Sequence, residues 1–432
     1  MLLILFLISL YLYFTSPEVF SYSSVVVSTI IFGLCFVRII QSNCRYSLVK
    51  FEFFFFISIF FTCYVYPLFY YLENPYFSFF TFTFNENIIS KATALATVGV
   101  SAFSLGVCEK MPIYINSCIF PVQRKLKLPH WTILILMLLF IPQLFKYVAM
   151  GVYTTDFESS LVNVVLQYLI YYYLFAYFYN ERTLKSKKIT YIHVAVLLYV
   201  VLFLLIGSRT LPLRIALFVI FLYNIYVKPI KKSLILTIML GGVLLLYVVG
   251  MVRMSEEISL SNIWDVGFDL VINNRNLYVL MDYANTNGYT WGKSMLMSFL
   301  SIIPFGQSTY LRLSGLSVAD ISSAHLVTYQ HYGKVYAGEQ ITGFGTNIFG
   351  DIYVAFGLIG VIVLMFLLGR FLRALYHRAS QGNRISVLLY ALLFVDVIYL
   401  ARSTYWGFLR TVTWTYVICY LYNNLKKRRC SL

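Results

Sequence analysis

The stretch TGFGTNIFGDIYVAFGLIG, residues 342–360, places glycines, an asparagine and an aspartate at the start of a long apolar run. Asn347 is suited to cap a helix that begins there, and Asp351 to interact with the positive end of the helix dipole. Gly350 and Gly357 allow another helix or a ligand to approach the backbone closely. The stretch therefore predicts the entrance of a membrane helix, with either a structural or a functional role.

Similar apolar runs recur along the whole chain. The protein has 432 residues, of which 60% are hydrophobic and 12% charged, with a mean hydropathy of +0.78. A helix needs about 20 apolar residues to cross a bilayer. Runs near that length predict an all-α polytopic membrane protein, a single membrane domain over residues 1–432. We expect about twelve transmembrane helices, near 2–14, 19–40, 51–71, 88–108, 130–150, 160–179, 189–207, 211–227, 233–252, 347–369, 385–401 and 404–424.

The basic residues predict the orientation, because Lys and Arg in short connections stay on the cytoplasmic side. Most of the 33 basic residues fall in alternate connections, so we expect both termini to be cytoplasmic and the protein to lie in the bacterial inner (plasma) membrane. The net charge of +16 is then mainly a topological signal, and we expect no nucleic-acid partner. The basic connections are 38–50, 110–127, 182–188, 228–232, 370–384 and 426–429.

One connection is much longer than the others. Residues 253–346 form a predicted large periplasmic loop, and a long loop in a compact protein is usually functional. Its segment WGKSMLMSFLSIIPFG, residues 291–306, is apolar but too short to cross, so we expect it to lie in the membrane interface or to re-enter. His325 and His331 follow it on the predicted outer side.

Several arginines are predicted on the outer side, against the orientation rule. The set of interest is Arg209, Arg214, Arg275 and Arg402. Guanidinium groups at headgroup depth are suited to bidentate phosphate binding. They could equally extend to ordinary lipid phosphates. Asp396, inside the eleventh predicted span, needs a partner, and we expect one of the outer arginines rather than a catalytic role.

The chain shows no metal-ligand spacing and no Asp-x-Asp pair. Its seven cysteines fall in predicted spans or on the predicted inner side, where disulfides are not expected. We therefore expect no metal site and no cofactor.

Three segments resemble the O-antigen polymerases, also called oligosaccharide repeat unit polymerases, of bacterial surface polysaccharide pathways. They are Gly207-Ser208-Arg209, the loop segment Trp291–Pro304, and the motif Gly350-Asp351-x-Tyr353-x-x-Phe356-Gly357-x-x-Gly360. The number of spans, the late outer loop and the basic tail are also similar. The resemblance implies an arrangement like that of the C-type glycosyltransferases, with the large loop folded as short helices over a cavity at headgroup level.

The resemblance also implies an enzyme activity: a membrane glycosyltransferase that polymerises repeat units in lipopolysaccharide or related polysaccharide biosynthesis. The implied substrate is an oligosaccharide on undecaprenyl diphosphate, and a chain-length regulator is an implied partner beside membrane lipid. Cations must stabilise the departing diphosphate, a role for the outer arginines. A base must accept the hydroxyl proton, and we expect His325 or His331 ahead of Asp351, with Glu339 last.

Two alternatives remain open at this point. A lipid-linked oligosaccharide flippase or transporter would be similarly basic and polytopic, but its charges should line a central cavity between short loops. An O-antigen ligase would use the same donor with a different acceptor. The three segments favour the polymerase over the ligase.

Overall fold

A computed structural model of the protein describes residues 1–70, 84–108, 126–150, 161–181, 191–205, 208–242, 271–332 and 343–424. All regular structure in these ranges is helical. Each of the twelve predicted spans contains a helix. In chain order the α-helices are α1 Leu2–Thr15, α2 Tyr22–Ser42, α3 Phe51–Cys63, α4 Ile89–Val107, α5 His130–Met150, α6 Leu161–Glu181, α7 Tyr191–Leu205, α8 Thr210–Tyr226, α9 Lys232–Gly242, α10 Asn274–Asn287, α11 Leu296–Leu300, α12 Gly306–Ser314, α13 Val318–Ile321, α14 Ser323–Tyr332, α15 Ile348–Ser380, α16 Arg384–Val395, α17 Val397–Leu400 and α18 Leu409–Asn424.

Within the described ranges, four helices are long and apolar enough to cross a membrane, by length and composition: α2, α4 with its preceding turn, α6 and α15. Seven shorter apolar helices lie in other predicted spans: α1, α3, the first part of α5, α7, α8, α9 and α16. The number of twelve spans therefore stays a prediction.

Two predicted spans differ in detail from the structure. In the third predicted span, the α-helix ends at Cys63 and a π-helix, Tyr66–Tyr70, follows. The eleventh is broken at Asp396, whose carbonyl accepts hydrogen bonds from the main chain of the short helix α17. The carbonyl of Ile398 accepts a hydrogen bond from the Ser58 hydroxyl of α3 at 2.6 Å, so the break is supported by a side chain from another helix.

The chain divides into two compact units. The first comprises Met1–Ile113, Gly267–His377 and Asp396–Arg410. Its central helix is α4, of which nearly every residue is buried. The sequence of α4 explains this position, because its alanines, serines, threonines and glycines let neighbouring helices come close, and their hydroxyls bond to the helix's own carbonyls.

A close helix contact in this unit joins α4 to α15 at two glycines. A Cβ on Gly106 would lie 3.0 Å from the main-chain nitrogen of Arg370, and a Cβ on Gly369 would lie 2.9 Å from that of Val107. The backbones therefore touch, a packing that larger residues would prevent. This contact fixes α15, the helix that opens with the motif Gly350–Gly360.

The second unit comprises Tyr114–Val266, Arg378–Val395 and Thr411–Leu432. Its helices α5, α6, α7, α8 and α16 pack against one another. The tyrosine-rich run of α6 lies in the core, with Tyr171, Tyr172 and Tyr173 fully buried. Packing accounts for these tyrosines, and none of the three is available to stack on a sugar.

The described part of the predicted large loop, residues 271–332, folds into the short helices α10 to α14. The apolar segment that begins at Trp291 is divided into a 3-10 turn and α11, and it leaves large side chains exposed, among them Trp291, Phe299 and Ile303. Residues 253–270 and 333–342 of the loop lie outside the described residues, and residues 343–346 lead into α15.

Candidate functional site

The site is built in the first unit around the segment 343–347, which leads into α15. Gly345 has a φ of +72°, which favours glycine, and the position of a Cβ there lies 3.7 Å from the carbonyl oxygen of Arg402. The main-chain nitrogen of Ile348 donates to the carbonyl of Ala401 at 3.2 Å. The segment therefore lies directly against the turn that carries Arg402.

Helices α10 and α14 hold the same segment from other directions. The Asn276 side-chain amide of α10 donates to the Phe344 carbonyl at 2.8 Å. The Thr328 hydroxyl of α14 accepts from the Phe344 main-chain nitrogen at 3.3 Å, and the Ser323 and Thr346 hydroxyls are 3.0 Å apart. These bonds hold a segment that has no regular secondary structure of its own and whose last two residues, Thr346 and Asn347, are buried.

Asn347 caps α15 as its sequence predicts. Its Oδ1 accepts from the main-chain nitrogen of Phe349 at 3.0 Å. One turn later, Asp351 is fully buried and its Oδ2 accepts from the main-chain nitrogen of Tyr405 at 2.8 Å, with the Ser323 hydroxyl also bonded to the carboxyl group. This geometry connects the start of α15 to the 401–405 turn.

The motif Gly350–Gly360 lies against the start of the loop segment Trp291–Pro304, since a Cβ on Gly292 would lie 2.8 Å from the Phe356 ring. Gly357 breaks α15 with a φ of 67° and a ψ of −159°. The Val354 carbonyl instead accepts from the main-chain nitrogen of Thr290 at 2.8 Å and from the Thr290 hydroxyl at 3.2 Å. A Cβ on Gly357 would lie 2.7 Å from the Tyr289 ring. The glycine is therefore required both by backbone conformation and by contact.

Arg275 and His331 meet on the ring of Phe344. The Arg275 guanidinium carbon lies 4.2 Å above the ring centroid, and the His331 ring packs edge-on at 5.2 Å between centroids. Arg275 is 3% exposed, so its side chain is enclosed by protein rather than open to a ligand. His331 is half-buried.

The electrostatics of this group act on His331. Burial lowers the pKa of its imidazole, and the positive charge of Arg275 lowers that pKa further. His325, on the same helix, is also half-buried, its pKa is lowered by burial, and its Nδ1 lies 3.0 Å from the Ser322 hydroxyl. Both imidazoles are thus held in the neutral form near pH 7.

A cleft adjoins His331. Its lining includes the outward face of α10 and the turn that precedes α4, and its volume is about 210 Å³. We call it the Asn85–Asp282 cleft, after the side chains Asn85 and Asp282, which are hydrogen-bonded at 3.1 Å. Helix α10 is amphipathic: Leu277, Leu280 and Met281 are buried, and Asp282 lies on the open face. This periodicity is the sequence signal from which the position of Asp282 could have been predicted.

The four predicted phosphate-binding arginines are in different settings. Arg275 is enclosed, as above. Arg402 is half-buried with its guanidinium 5.0 Å from the centre of the Tyr399 ring. Arg209 and Arg214 belong to the second unit, at the start of α8, where both are half-buried with their Nε atoms enclosed. The structure thus brings Arg275, Arg402, His325, His331 and Asp351 around the 343–347 segment and its helix.

Two other predicted residues lie outside the described ranges, Gly207 of the first motif and Glu339 of the loop. In the described part of the chain, no group of three His, Cys, Asp or Glu side chains is placed to hold a metal ion.

A family model described as O-antigen polysaccharide polymerase Wzy matches residues 1–431. No curated protein and no solved structure is significantly similar to the chain. Because the family match covers the chain from end to end, and because the described residues form apolar helices, the protein is a membrane-embedded member of the Wzy family of O-antigen polysaccharide polymerases.

Proposed function

We propose that this protein joins oligosaccharide repeat units carried on undecaprenyl diphosphate into a surface polysaccharide, at the periplasmic face of the bacterial inner membrane. The family match over residues 1–431 is the observation that carries the proposal. In the proposed reaction a hydroxyl oxygen of the acceptor sugar bonds to the anomeric carbon of the donor glycan. The bond from that carbon to the diphosphate oxygen breaks, and the hydroxyl proton passes to a base.

The proposed orientation has both termini in the cytoplasm. Two basic connections that the sequence assigns to the cytoplasmic side meet at one end of the first unit, which supports this orientation. Lys50 lies over the Tyr376 ring at 4.1 Å, and Arg373, one turn earlier, donates to the Cys108 carbonyl at 3.1 Å. The 343–347 segment lies at the opposite end of α15 and would face the periplasm.

We assign the base to His331. It is half-buried, it lines the Asn85–Asp282 cleft, and its lowered pKa leaves a nitrogen lone pair available at neutral pH. Arg275 is then a positioning residue, because it is enclosed and acts on His331 through its charge and through Phe344. His325 is directed to Ser322 and is the second choice for the base.

We assign diphosphate binding first to Arg402. Its side chain is half-buried with the guanidinium over Tyr399, and its backbone contacts the 343–347 segment at Gly345. A guanidinium fork binds phosphate oxygens in pairs and stabilises negative charge as the diphosphate departs. Arg209 and Arg214 belong to the second unit and are proposed, separately, as phosphate-binding residues of that unit. Asp351, buried and bonded to Tyr405, positions the turn of Arg402 and does not touch substrate in this assignment.

The test is the glycan made by a bacterial strain that lacks this gene and carries variants in its place. Without the protein, the glycan should stop at a single repeat unit, and wild-type protein should restore the ladder. His331→Ala should leave mainly the single unit, since a general base contributes about 10²- to 10⁴-fold in rate. Arg402→Ala should do the same, because the departing diphosphate loses a stabilising cation. The matched control is Arg312→Ala, an exposed arginine of α12.

Each other result has a defined meaning. Complete loss of surface glycan in the deletion would favour a flippase or a ligase over a polymerase. An unchanged ladder in the deletion would contradict the whole proposal. A normal ladder with His331→Ala, at equal protein level, would remove the base from His331 and direct the next test to His325.

A further inference from the structure

The Asn85–Asp282 cleft has the size and the lining of a site for one sugar ring. Its volume of about 210 Å³ is below the roughly 300–1,000 Å³ of sites for drug-sized ligands. Besides Asn85 and Asp282, its lining includes Phe84, Tyr283, Gln330 and His331. The amides of Asn85 and Gln330 can donate and accept hydrogen bonds and the Asp282 carboxylate accepts them, which suits neighbouring sugar hydroxyls.

The polar groups of the cleft are held in place before any ligand binds. Asn85 Oδ1 accepts from the main-chain nitrogen of Asn87 at 3.1 Å, while Asn85 Nδ2 donates to Asp282 Oδ1 at 3.1 Å. The Asp282 carboxylate is therefore oriented with its Oδ1 towards Asn85. Preorganised groups of this kind lose little entropy on binding, which favours affinity for a small polar ligand.

One wall of the cleft is an aromatic ring that is itself well supported. The Phe84 ring packs on Tyr278 with centroids 5.3 Å apart and on Tyr66 at 6.3 Å. A rigid aromatic face beside hydrogen-bonding side chains matches the two faces of a sugar ring, one with C–H groups and one with hydroxyls.

The charge of the cleft discriminates between the two parts of the substrate. The described residues that line it include Asp282 and no Lys or Arg. A negative carboxylate repels a diphosphate, whereas it accepts hydrogen bonds from hydroxyl groups. The cleft therefore suits the sugar part of the substrate, and the diphosphate belongs elsewhere.

We propose that the Asn85–Asp282 cleft binds the non-reducing-end sugar of the acceptor repeat unit and directs the attacking hydroxyl to His331. This inference rests on the proposed polymerase function and adds the location of acceptor recognition. Asp282 and Gln330 then determine which sugar the enzyme extends, while the donor diphosphate is bound outside the cleft.

The experiment uses purified full-length protein in detergent with lipid-linked repeat units extracted from the deletion strain. A labelled free oligosaccharide, released from the same lipid by mild acid, is added as a second acceptor. It lacks a diphosphate and therefore cannot act as a donor. Incorporation of label, measured against the concentration of the free oligosaccharide, gives the KM for the acceptor separately from that for the donor.

We expect Asp282→Ala to raise the acceptor KM about 10- to 100-fold, the loss of one charged hydrogen bond, with kcat at saturating acceptor within about three-fold of wild type. Gln330→Ala, at an exposed position, should raise the acceptor KM less. It tests the same proposal if Asp282→Ala folds poorly. Glu18→Gln, an exposed carboxylate in the turn between α1 and α2, is the matched control and should change neither constant.

Failure of the polymerase function and failure of the cleft proposal would give different results. If wild-type protein makes no polymer from the lipid-linked units, the polymerase function itself fails. If wild type makes polymer but does not extend the free oligosaccharide, the cleft proposal is overturned, because the cleft should bind the sugar without its lipid. An unchanged acceptor KM in folded Asp282→Ala and Gln330→Ala also overturns it and leaves the polymerase function standing.

Discussion

The two ends of α15 each bury a charged side chain, but by different means. Near the start of the helix, the Asp351 carboxylate accepts a main-chain hydrogen bond from Tyr405, 54 residues away in sequence. Near the other end, Lys50 is 2% exposed and its Nζ lies over the Tyr376 ring. A hydrogen bond fixes the position of a loop within tenths of an ångström, whereas an aromatic face tolerates many orientations of an ammonium group. The Asp351 carboxylate therefore sets the geometry of the site, whereas Lys50 contributes to packing.

Replacing Asp351 should have the largest effect on stability. Asp351→Ala leaves the buried N–H of Tyr405 without its acceptor, and we expect a loss of about 2–4 kcal/mol together with loss of polymer. Asp351→Asn retains an acceptor oxygen and should lose less. The midpoint of thermal unfolding in detergent measures both. If Asp351→Ala unfolds at the wild-type midpoint, the contrast between the two ends of α15 is wrong.

The break in α15 should be next in size. Gly357→Ala places a side chain at a φ of 67° and against Tyr289, and we expect a loss of about 1–3 kcal/mol. The matched control is Gly33→Ala in α2, where no atom lies within 4 Å of the new Cβ. That control should be neutral or slightly stabilising, because alanine favours helix more than glycine does. Equal unfolding midpoints for the two variants would contradict a required break at Gly357.

Helices and helix caps could be predicted from the sequence, whereas contacts between distant residues are seen only in the structure. The helices followed from apolar runs, and the Asn347 cap followed from its place before α15. The bond from Tyr405 to Asp351 joins distant residues, and no periodicity marks it. Arg275 was expected at a phosphate, but its burial against Phe344 depends on where an irregular segment passes. Helix signals arise from neighbours within a turn, whereas a site depends on long-range packing.

A pH profile sharpens the assignment of His331 with a smaller effect. The imidazole must be neutral to accept a proton. Because the His331 pKa is lowered from the ordinary histidine value of about 6.5, the enzyme should remain active as the pH falls below 6.5. Activity should fall only as the pH drops through the lowered pKa. Arg275→Met removes the positive charge, raises that pKa and moves the acid limb to higher pH. Arg312→Met should not move it. If the acid limb is unchanged in folded Arg275→Met, then Arg275 does not influence the pKa of the base.

Replacing Lys50 should have the smallest effect. Lys50→Met removes a buried ammonium whose contact with Tyr376 offsets part of its desolvation, and apolar replacements of buried charges are often neutral. We expect a change within about 1 kcal/mol and an unchanged glycan ladder. A ladder shortened to single repeat units at a normal unfolding midpoint would show that this end of α15 also serves the reaction.

The bond between Thr290 and the Val354 carbonyl also has a consequence for biogenesis. The two residues are 64 positions apart, and Thr290 is synthesised first. At about 5–20 residues per second, the ribosome needs roughly 3–13 s to reach Val354 after Thr290. During that interval the segment 288–292 exists without the helix that receives it. The site is therefore completed late in synthesis, only after the first turns of α15 have been made.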